Sequence, residues 1–94
     1  MQNDVAIQLS EIEIIPIKPK AGHVGFLSFV LNQSFYVSNI AIYTRPDGGL
    51  RLVYPDKILP NGKVVNLFHP ITTLAGQLVL QAAEKSLQKL VGKK

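Results

Sequence analysis

The sequence predicts an α+β fold, in which an antiparallel β-sheet of five or six strands is followed by a C-terminal amphipathic helix. Two observations predict this fold. Up to about residue 70 the chain is rich in β-branched and aromatic residues and is interrupted by Pro, Gly and Asn, as expected for strands joined by turns. Beyond that point it lacks Pro and is rich in Leu, Ala, Gln and Lys, which favours a helix. At 94 residues the chain is expected to form one domain, 1–94.

The first strand candidate covers residues 5–17, where the alternation of apolar residues changes phase. Val5, Ile7 and Leu9 occupy odd positions, whereas Ile12 and Ile14 occupy even positions. One extra residue at Ser10 and Glu11 would reconcile the two halves, which predicts a β-bulge. Two short strands are the alternative interpretation.

The second strand candidate is predicted to lie in the centre of the sheet. Pro16 and Pro19 are expected to end the pairing of the first strand and to open a loop at 18–22. Residues 24–31 are apolar at both parities, which is typical of a strand that is covered on both faces. A short turn is predicted at 32–34.

The remaining strands are predicted on either side of a hairpin. Phe35–Thr44 is the longest strand candidate, and the sequence Pro-Asp-Gly-Gly at 46–49 is a strong turn signal because Pro presets the first turn angle. Residues 50–54 form the return strand. A longer loop at 55–62 then leads to a last short strand at 64–68.

The C-terminal segment predicts one helix. Thr72 or Thr73 is a suitable N-cap, and the helix is expected to run to about Val91, with Gly92 as its stop. At 100° per residue one broad apolar face is expected to cover the sheet. That face consists of Ala75, Val79, Leu80, Ala82, Ala83, Leu87, Leu90 and Val91.

The composition excludes several classes of protein. With 47% hydrophobic and 17% charged residues, the chain is too apolar to be disordered. It has no cysteine, which excludes a disulfide scaffold, a thiolate metal site and a cysteine nucleophile. No apolar run approaches the roughly 18 residues of a membrane span, and the first residues do not resemble a signal peptide. We therefore expect a cytoplasmic protein that makes no membrane contact.

The titratable residues do not predict an enzyme. His23 is placed in a loop and His69 at a strand end, without the spacing of a metal-binding pair. His69 is expected to bond to nearby backbone at the junction between sheet and helix. Glu11 and Glu13 share a parity, which a solvent-exposed strand face explains. We expect no catalysis, no cofactor, no metal and no small-molecule substrate.

The basic residues predict a nucleic-acid surface. Ten Lys and Arg residues against six Asp and Glu residues give a net charge of +4, and the cations occur in pairs. The pairs flank the hairpin turn, bracket the next loop and lie four residues apart on the helix. The candidate nucleic-acid-binding residues are Arg45, Arg51, Lys57, Lys63, Lys85 and Lys89. For a single chain, the alternative interpretation is that these residues are ordinary charges that keep the protein soluble. A two-fold dimer would duplicate each pair of cations and so strengthen the case for a nucleic-acid surface.

The tyrosines have two interpretations. Tyr36, Tyr43 and Tyr54 are suited to stack on nucleic-acid bases, and all three lie in predicted strands. Tyrosines at strand positions are more often part of the packing of a sheet or an interface, which is the interpretation that we favour from the sequence.

Residues 35–71 resemble the SpoVG family, the stage V sporulation protein G or septation regulators of bacteria. The shared features are the Gly-rich hairpin, the Leu-Val-Tyr-Pro strand end at 52–55, the loop carrying Pro-Asn-Gly at 60–62, the His-Pro-Ile segment at 69–71 and a terminal helix. The resemblance covers about residues 10–90. It implies a small α+β domain that forms a homodimer through its long strands. It also implies sequence-selective DNA binding, and RNA binding, in the regulation of septation and gene expression.

The helix start departs from the family pattern. Family members typically carry an Arg and a Lys there, where this chain has Gly76 and Leu78. Leu78 instead forms an apolar patch with Leu74 on the polar side of the helix. The alternative function is therefore a protein-interaction or structural homodimer module that uses this patch without binding nucleic acid. The predicted dimer or partner interface consists of Tyr36, Ile40, Ile42, Leu74 and Leu78.

Overall fold

A computed structural model describes residues 6–91 of the chain, and their arrangement confirms the α+β class. Four strands form one antiparallel sheet in the order β1-β2-β3-β4, two strands form a second small sheet, and one helix follows. The elements are β1 Leu9–Lys20, β2 His23–Leu31, β3 Phe35–Thr44, β4 Leu50–Val53, β5 Asp56–Ile58, β6 Val64–Asn66 and α1 Thr73–Val91. The strands are thus divided between two sheets, and β5 lies where a loop was predicted. The predictions for Val5 and Gly92 lie outside the described residues.

The predicted bulge in the first strand is confirmed. Ser10 is opposite Val30 and Glu13 is opposite Ser28, so β1 has one more residue than β2 over this stretch. Glu11 has a φ of 48°, the left-handed conformation that an extra residue in a bulge often takes. The strand is therefore continuous across the bulge.

The first strand does not end at the prolines as predicted. β1 continues through Pro16 to Lys20, and Pro16 is opposite Gly25. Proline is tolerated here because β1 is an edge strand, where a missing N–H need not interrupt a ladder. The predicted loop is reduced to the two-residue turn at Ala21 and Gly22, with φ angles of 53° and 86°.

A second bulge, in β3, was not predicted. Leu27 is opposite Ile40 and Phe29 is opposite Val37, so β3 contains one more residue between these pairs. Asn39 supplies it, with a φ of 66°. The bulge reverses the parity of β3, so Val37 lies on the same face as Ile40.

One face of the four-stranded sheet packs against α1, which contacts both edge strands. The core between them consists of Leu27, Phe29, Val37, Ile40, Ile42, Leu50, Val79 and Ala83. The predicted apolar face of the helix is confirmed for Val79 and Ala83, whereas Leu90 is 54% exposed. Thr72 is the N-cap, because its hydroxyl accepts a hydrogen bond from the Ala75 N–H at 3.1 Å. Within residues 6–91, no helix combines the length and the apolar character that crossing a membrane requires.

Candidate nucleic-acid interface

The sheet surface opposite α1, here called the open face, carries a row of basic and aromatic residues. Lys20 is opposite His23, His23 is opposite Tyr43, and Tyr43 is opposite Arg51. Residues that face each other across strands project to the same side of a sheet. Two tight turns, one after β1 and one after β3, thus align these four residues across all four strands. We call them the basic–aromatic row.

The middle of the basic–aromatic row is stacked. The rings of His23 and Tyr43 lie 4.8 Å apart and within 19° of parallel. The Arg51 guanidinium carbon lies 4.7 Å from the centre of the Tyr43 ring, which is a cation–π contact. The His23 Nε2–H donates to the Gly25 carbonyl oxygen at 3.0 Å, which fixes the imidazole. Because the His23 ring stacks on the Tyr43 ring and the Tyr43 ring contacts Arg51, the guanidinium is held above the sheet. It therefore loses little conformational entropy when it binds an anion.

A second row on the open face is apolar. Its members are opposite one another across the four strands and consist of Ile15, Phe26, Ala41 and Val53. Ile15 is 54% exposed, and the Phe26 and His23 rings are nearly perpendicular with their centres 4.8 Å apart, so this apolar row adjoins the basic–aromatic row. Further along the same face, Tyr36 is 70% exposed and lies opposite Val30.

One buried polar group lies on the open face between these features. Ser28 is opposite Glu13, and its hydroxyl is buried without a hydrogen-bond partner in the described part of the chain. A buried hydroxyl in this state normally costs free energy because it has lost its contacts with water. Glu13 is exposed and brings a carboxylate to the same part of the sheet.

The first predicted pair of cations lies at one end of the sheet. Arg45 and Arg51 flank the β3–β4 turn, which the Arg45 N–H closes by donating to the Gly49 carbonyl oxygen at 2.8 Å. The two side chains differ in their contacts. The Arg45 guanidinium is 2.8 Å from the Asp47 carboxylate, whereas Arg51 rests on Tyr43.

The other two pairs lie elsewhere on the molecule. Lys57 and Lys63 belong to the β5–β6 hairpin, and both are exposed. Lys85 and Lys89 are exposed on α1, beside a groove that the helix forms with Ile12 of β1. The six candidate residues therefore occupy three separate places. Among the described residues, Arg45 alone of the six has a carboxylate within salt-bridge distance.

The predicted interface residues are also separated. Tyr36 is on the open face, and Leu74 is 58% exposed at the start of α1. Ile40 and Ile42 are fully buried under the helix, because the bulge in β3 turns them to the face opposite Tyr36, and their side chains are not accessible to a second chain. Leu78 is half-buried in the groove between α1 and β1, so it does not form an exposed patch with Leu74.

Two aromatic residues have structural positions. The Tyr54 ring packs on the core at 6.1 Å from the Phe68 ring, and burial raises the pKa of its hydroxyl above the ordinary value. The His69 Nδ1–H donates to the Pro70 carbonyl oxygen at 3.1 Å, as predicted for the junction between sheet and helix. In residues 6–91, no group of three or more His, Cys, Asp or Glu residues is arranged to hold a metal ion.

Lys20, His23 and Phe26 belong to a common surface that was not predicted from the sequence. His23 was placed in a loop, whereas it is the first residue of β2. The signal in the sequence was the pair Ala21 and Gly22, which favours a two-residue hairpin turn and would have set residue 20 opposite residue 23.

Comparison with known proteins adds no assignment. The chain matches no family model, and no curated protein matches it. The likeness to the SpoVG family is therefore a prediction that rests on the order and spacing of residues 35–71.

Proposed function

We propose that this chain is a nucleic-acid-binding regulatory protein of the SpoVG type, which acts as a cytoplasmic homodimer and binds DNA and also RNA. The proposed process is the control of septation, sporulation or gene expression. The observation that carries the proposal is the state of the predicted cations. Five of the six, all but Arg45, have no carboxylate within salt-bridge distance in the described part of the chain, and all six are exposed.

Exposed cations without a carboxylate partner are suited to phosphate. A lysine or arginine that neutralises a phosphate releases a condensed counterion, which drives binding and makes it depend on salt. A cation already paired with a carboxylate must first give up that contact. Arg51 is therefore expected to contribute more than Arg45, although the two lie at the same end of the sheet.

The test is an electrophoretic shift series with DNA and RNA at two salt concentrations. Replacing Lys57 and Lys63 together by Gln, or Lys85 and Lys89 together by Gln, is expected to weaken binding of both nucleic acids. Arg51→Gln and Arg45→Gln form a matched pair, and the first is expected to cause the larger loss. Unchanged affinity in all of these variants would contradict the proposal.

A second candidate function is a protein-interaction or structural homodimer module. The observation that favours it is the exposure of apolar side chains beside the helix start, where Ile71 is 87% and Leu74 is 58% exposed. The β5–β6 hairpin adds Ile58 and Val64, which are 69% and 60% exposed. Exposed apolar side chains in such number are typical of a surface that another protein covers.

One substitution separates the two functions. Leu74→Lys adds a cation at the helix start, close to where the SpoVG family has basic residues. If the chain binds nucleic acid, this variant is expected to bind it more tightly. If the chain is an interaction module, the variant is expected to lose self-association or partner binding and to gain no affinity for nucleic acid.

A further inference from the structure

We infer that the open face is a platform for single-stranded nucleic acid, on which Arg51 and Lys20 contact phosphates while Tyr36 and Phe26 stack on bases. This inference rests on the proposed function and narrows its ligand to strands with unpaired bases.

The basic–aromatic row supplies the phosphate contacts. Lys20 and Arg51 lie at opposite ends of the row and are exposed, and the row itself contains no acidic residue. Arg51 is held over the Tyr43 ring, so its guanidinium is positioned before the ligand arrives. A planar guanidinium presents paired N–H groups that match two phosphate oxygens. This end of the sheet is therefore complementary to a polyanion.

The shape of the open face favours a single strand. Duplex DNA is commonly read by a helix that enters a groove, and the open face presents no helix in the described part of the chain, because α1 packs against the opposite face of the sheet. An exposed sheet carrying aromatic side chains is instead the kind of surface on which unpaired bases stack. Tyr36, 70% exposed, has the ring area that such stacking needs.

The spacing of the aromatic residues fits several nucleotides. Tyr36 and Tyr43 are separated by seven positions along β3, or about 23 Å at 3.3 Å per residue. Phe26 and the apolar row lie between them. A strand of about four nucleotides or more would extend from the cations to Tyr36, which is within the range seen for sheet-based single-strand binders.

A second copy of this chain is a less suitable occupant. The apolar part of the open face is one row with a single side chain per strand, and Phe26 and Ala41 in it are already half-buried. A stable protein interface buries about 800 Å² on each partner, and a row of four side chains, two of them half-buried, is a small part of such an area. In many face-to-face arrangements of two chains, the cations of one basic–aromatic row would lie close to those of the other and repel them. The phosphates of a nucleic acid would instead neutralise these charges.

The test compares Tyr36→Ala with Phe35→Ala. These neighbours are 70% and 66% exposed, and because they are adjacent on one strand they project to opposite faces of the sheet. The probe is a labelled strand of about 20 nucleotides, as DNA and as RNA, alone and annealed to its complement. Binding is measured by fluorescence anisotropy, with light scattering on each variant.

Tyr36→Ala is expected to weaken single-strand binding at least fivefold, since the loss of one stacked base costs about that much or more. Phe35→Ala is expected to bind as the wild type does, and the wild type is expected to prefer the single strand to the duplex. Glu13→Gln is expected to strengthen binding, because Glu13 brings a negative charge to the open face. Arg51→Gln is expected to weaken it.

Three results would overturn the inference. If Tyr36→Ala and Phe35→Ala bound the single strand equally well, stacking of a base on Tyr36 would be excluded. If the wild type bound single strand and duplex with equal affinity, a preference for single-stranded nucleic acid would be excluded. Dissociation of a dimer by Tyr36→Ala, with unchanged single-strand affinity, would assign the face to a second copy. In each of these cases, nucleic-acid binding by the wild type would still support the proposed function. If the wild type bound neither the single strand nor the duplex, the proposed nucleic-acid binding itself would be refuted.

Discussion

At the scale of single residues, the close approach of β1 to β2 depends on Gly25. A Cβ atom built there would lie 2.7 Å from the Ile15 carbonyl oxygen, a distance that real side chains do not adopt. Pro16 is opposite Gly25, and its Cα would lie 3.4 Å from the same Cβ atom. Glycine at this position lets the edge strand continue where a proline would be expected to end it.

Gly25→Ala is expected to destabilise the protein by about 1–3 kcal/mol, because the backbone of β1 must move to admit the methyl group. Gly76→Ala is the matched control. A Cβ at Gly76 would meet the Pro70 ring at 3.6 Å, an ordinary contact, and alanine is favoured in a helix by about 1 kcal/mol. In urea denaturation, the midpoint of unfolding should therefore fall for Gly25→Ala and rise for Gly76→Ala. A Gly25→Ala protein as stable as the wild type would contradict the packing.

Sequence reasoning succeeded at residues whose local pattern is unambiguous. The phase change before Ile12 revealed the bulge at Glu11, because apolar residues on the two sides of it occupy different parities. The bulge at Asn39 left no such trace. β3 is apolar at both parities, so an extra residue alters which side chains are buried without altering the apparent pattern. The same ambiguity placed Ile40 and Ile42 in an interface when they are core residues.

At the scale of elements, the start of the helix depends on its cap. The sequence left Thr72 and Thr73 as alternatives, and the hydrogen bond from the Ala75 N–H to the hydroxyl decides for Thr72. Thr72→Ala is expected to lower the free energy of unfolding by about 1 kcal/mol. Thr73→Ala is expected to lower it substantially less, because the Ala75 N–H bonds to the hydroxyl of Thr72 and not to that of Thr73. Equal losses in thermal or urea unfolding would show that the cap does not act through this hydroxyl.

The strands were predicted less well than the helix, for a physical reason. A helix is specified by contacts within one segment, so its apolar period identified Val79 and Ala83 as core residues. A strand is specified by its neighbours. The Asn-Gly pair at 61–62 is a local turn signal for a hairpin of β5 and β6, but nothing within residues 55–68 indicates that this hairpin stands apart from the main sheet.

At the scale of the whole molecule, the exposed apolar side chains indicate contact with another chain. Ile71 and Leu74 lie together at the helix start, and this face is distinct from the open face. We expect the chain to be a dimer at micromolar concentration, and Leu74→Lys to shift it towards the monomer if the helix start is part of the interface. Light scattering on both proteins tests this, and a monomeric wild type would refute the dimer.

The distribution of charge is also a property of the whole molecule. The sequence showed a net charge of +4 and three pairs of cations, and the pairs proved to lie in three separate places. The row that unites Lys20, His23, Tyr43 and Arg51 was not visible in the sequence, because it depends on the register of four strands. Residues far apart along the chain align in this row only once the turns have set that register.

The salt dependence of affinity tests the central proposal most directly. The logarithm of the association constant for nucleic acid, measured at several salt concentrations, is expected to fall linearly with the logarithm of the salt concentration. Replacing Lys57 and Lys63 by Gln should reduce the slope by about 0.7–0.9 for each phosphate contact that is lost. A protein that binds neither DNA nor RNA at low salt, or that binds with a slope near zero, would contradict the account.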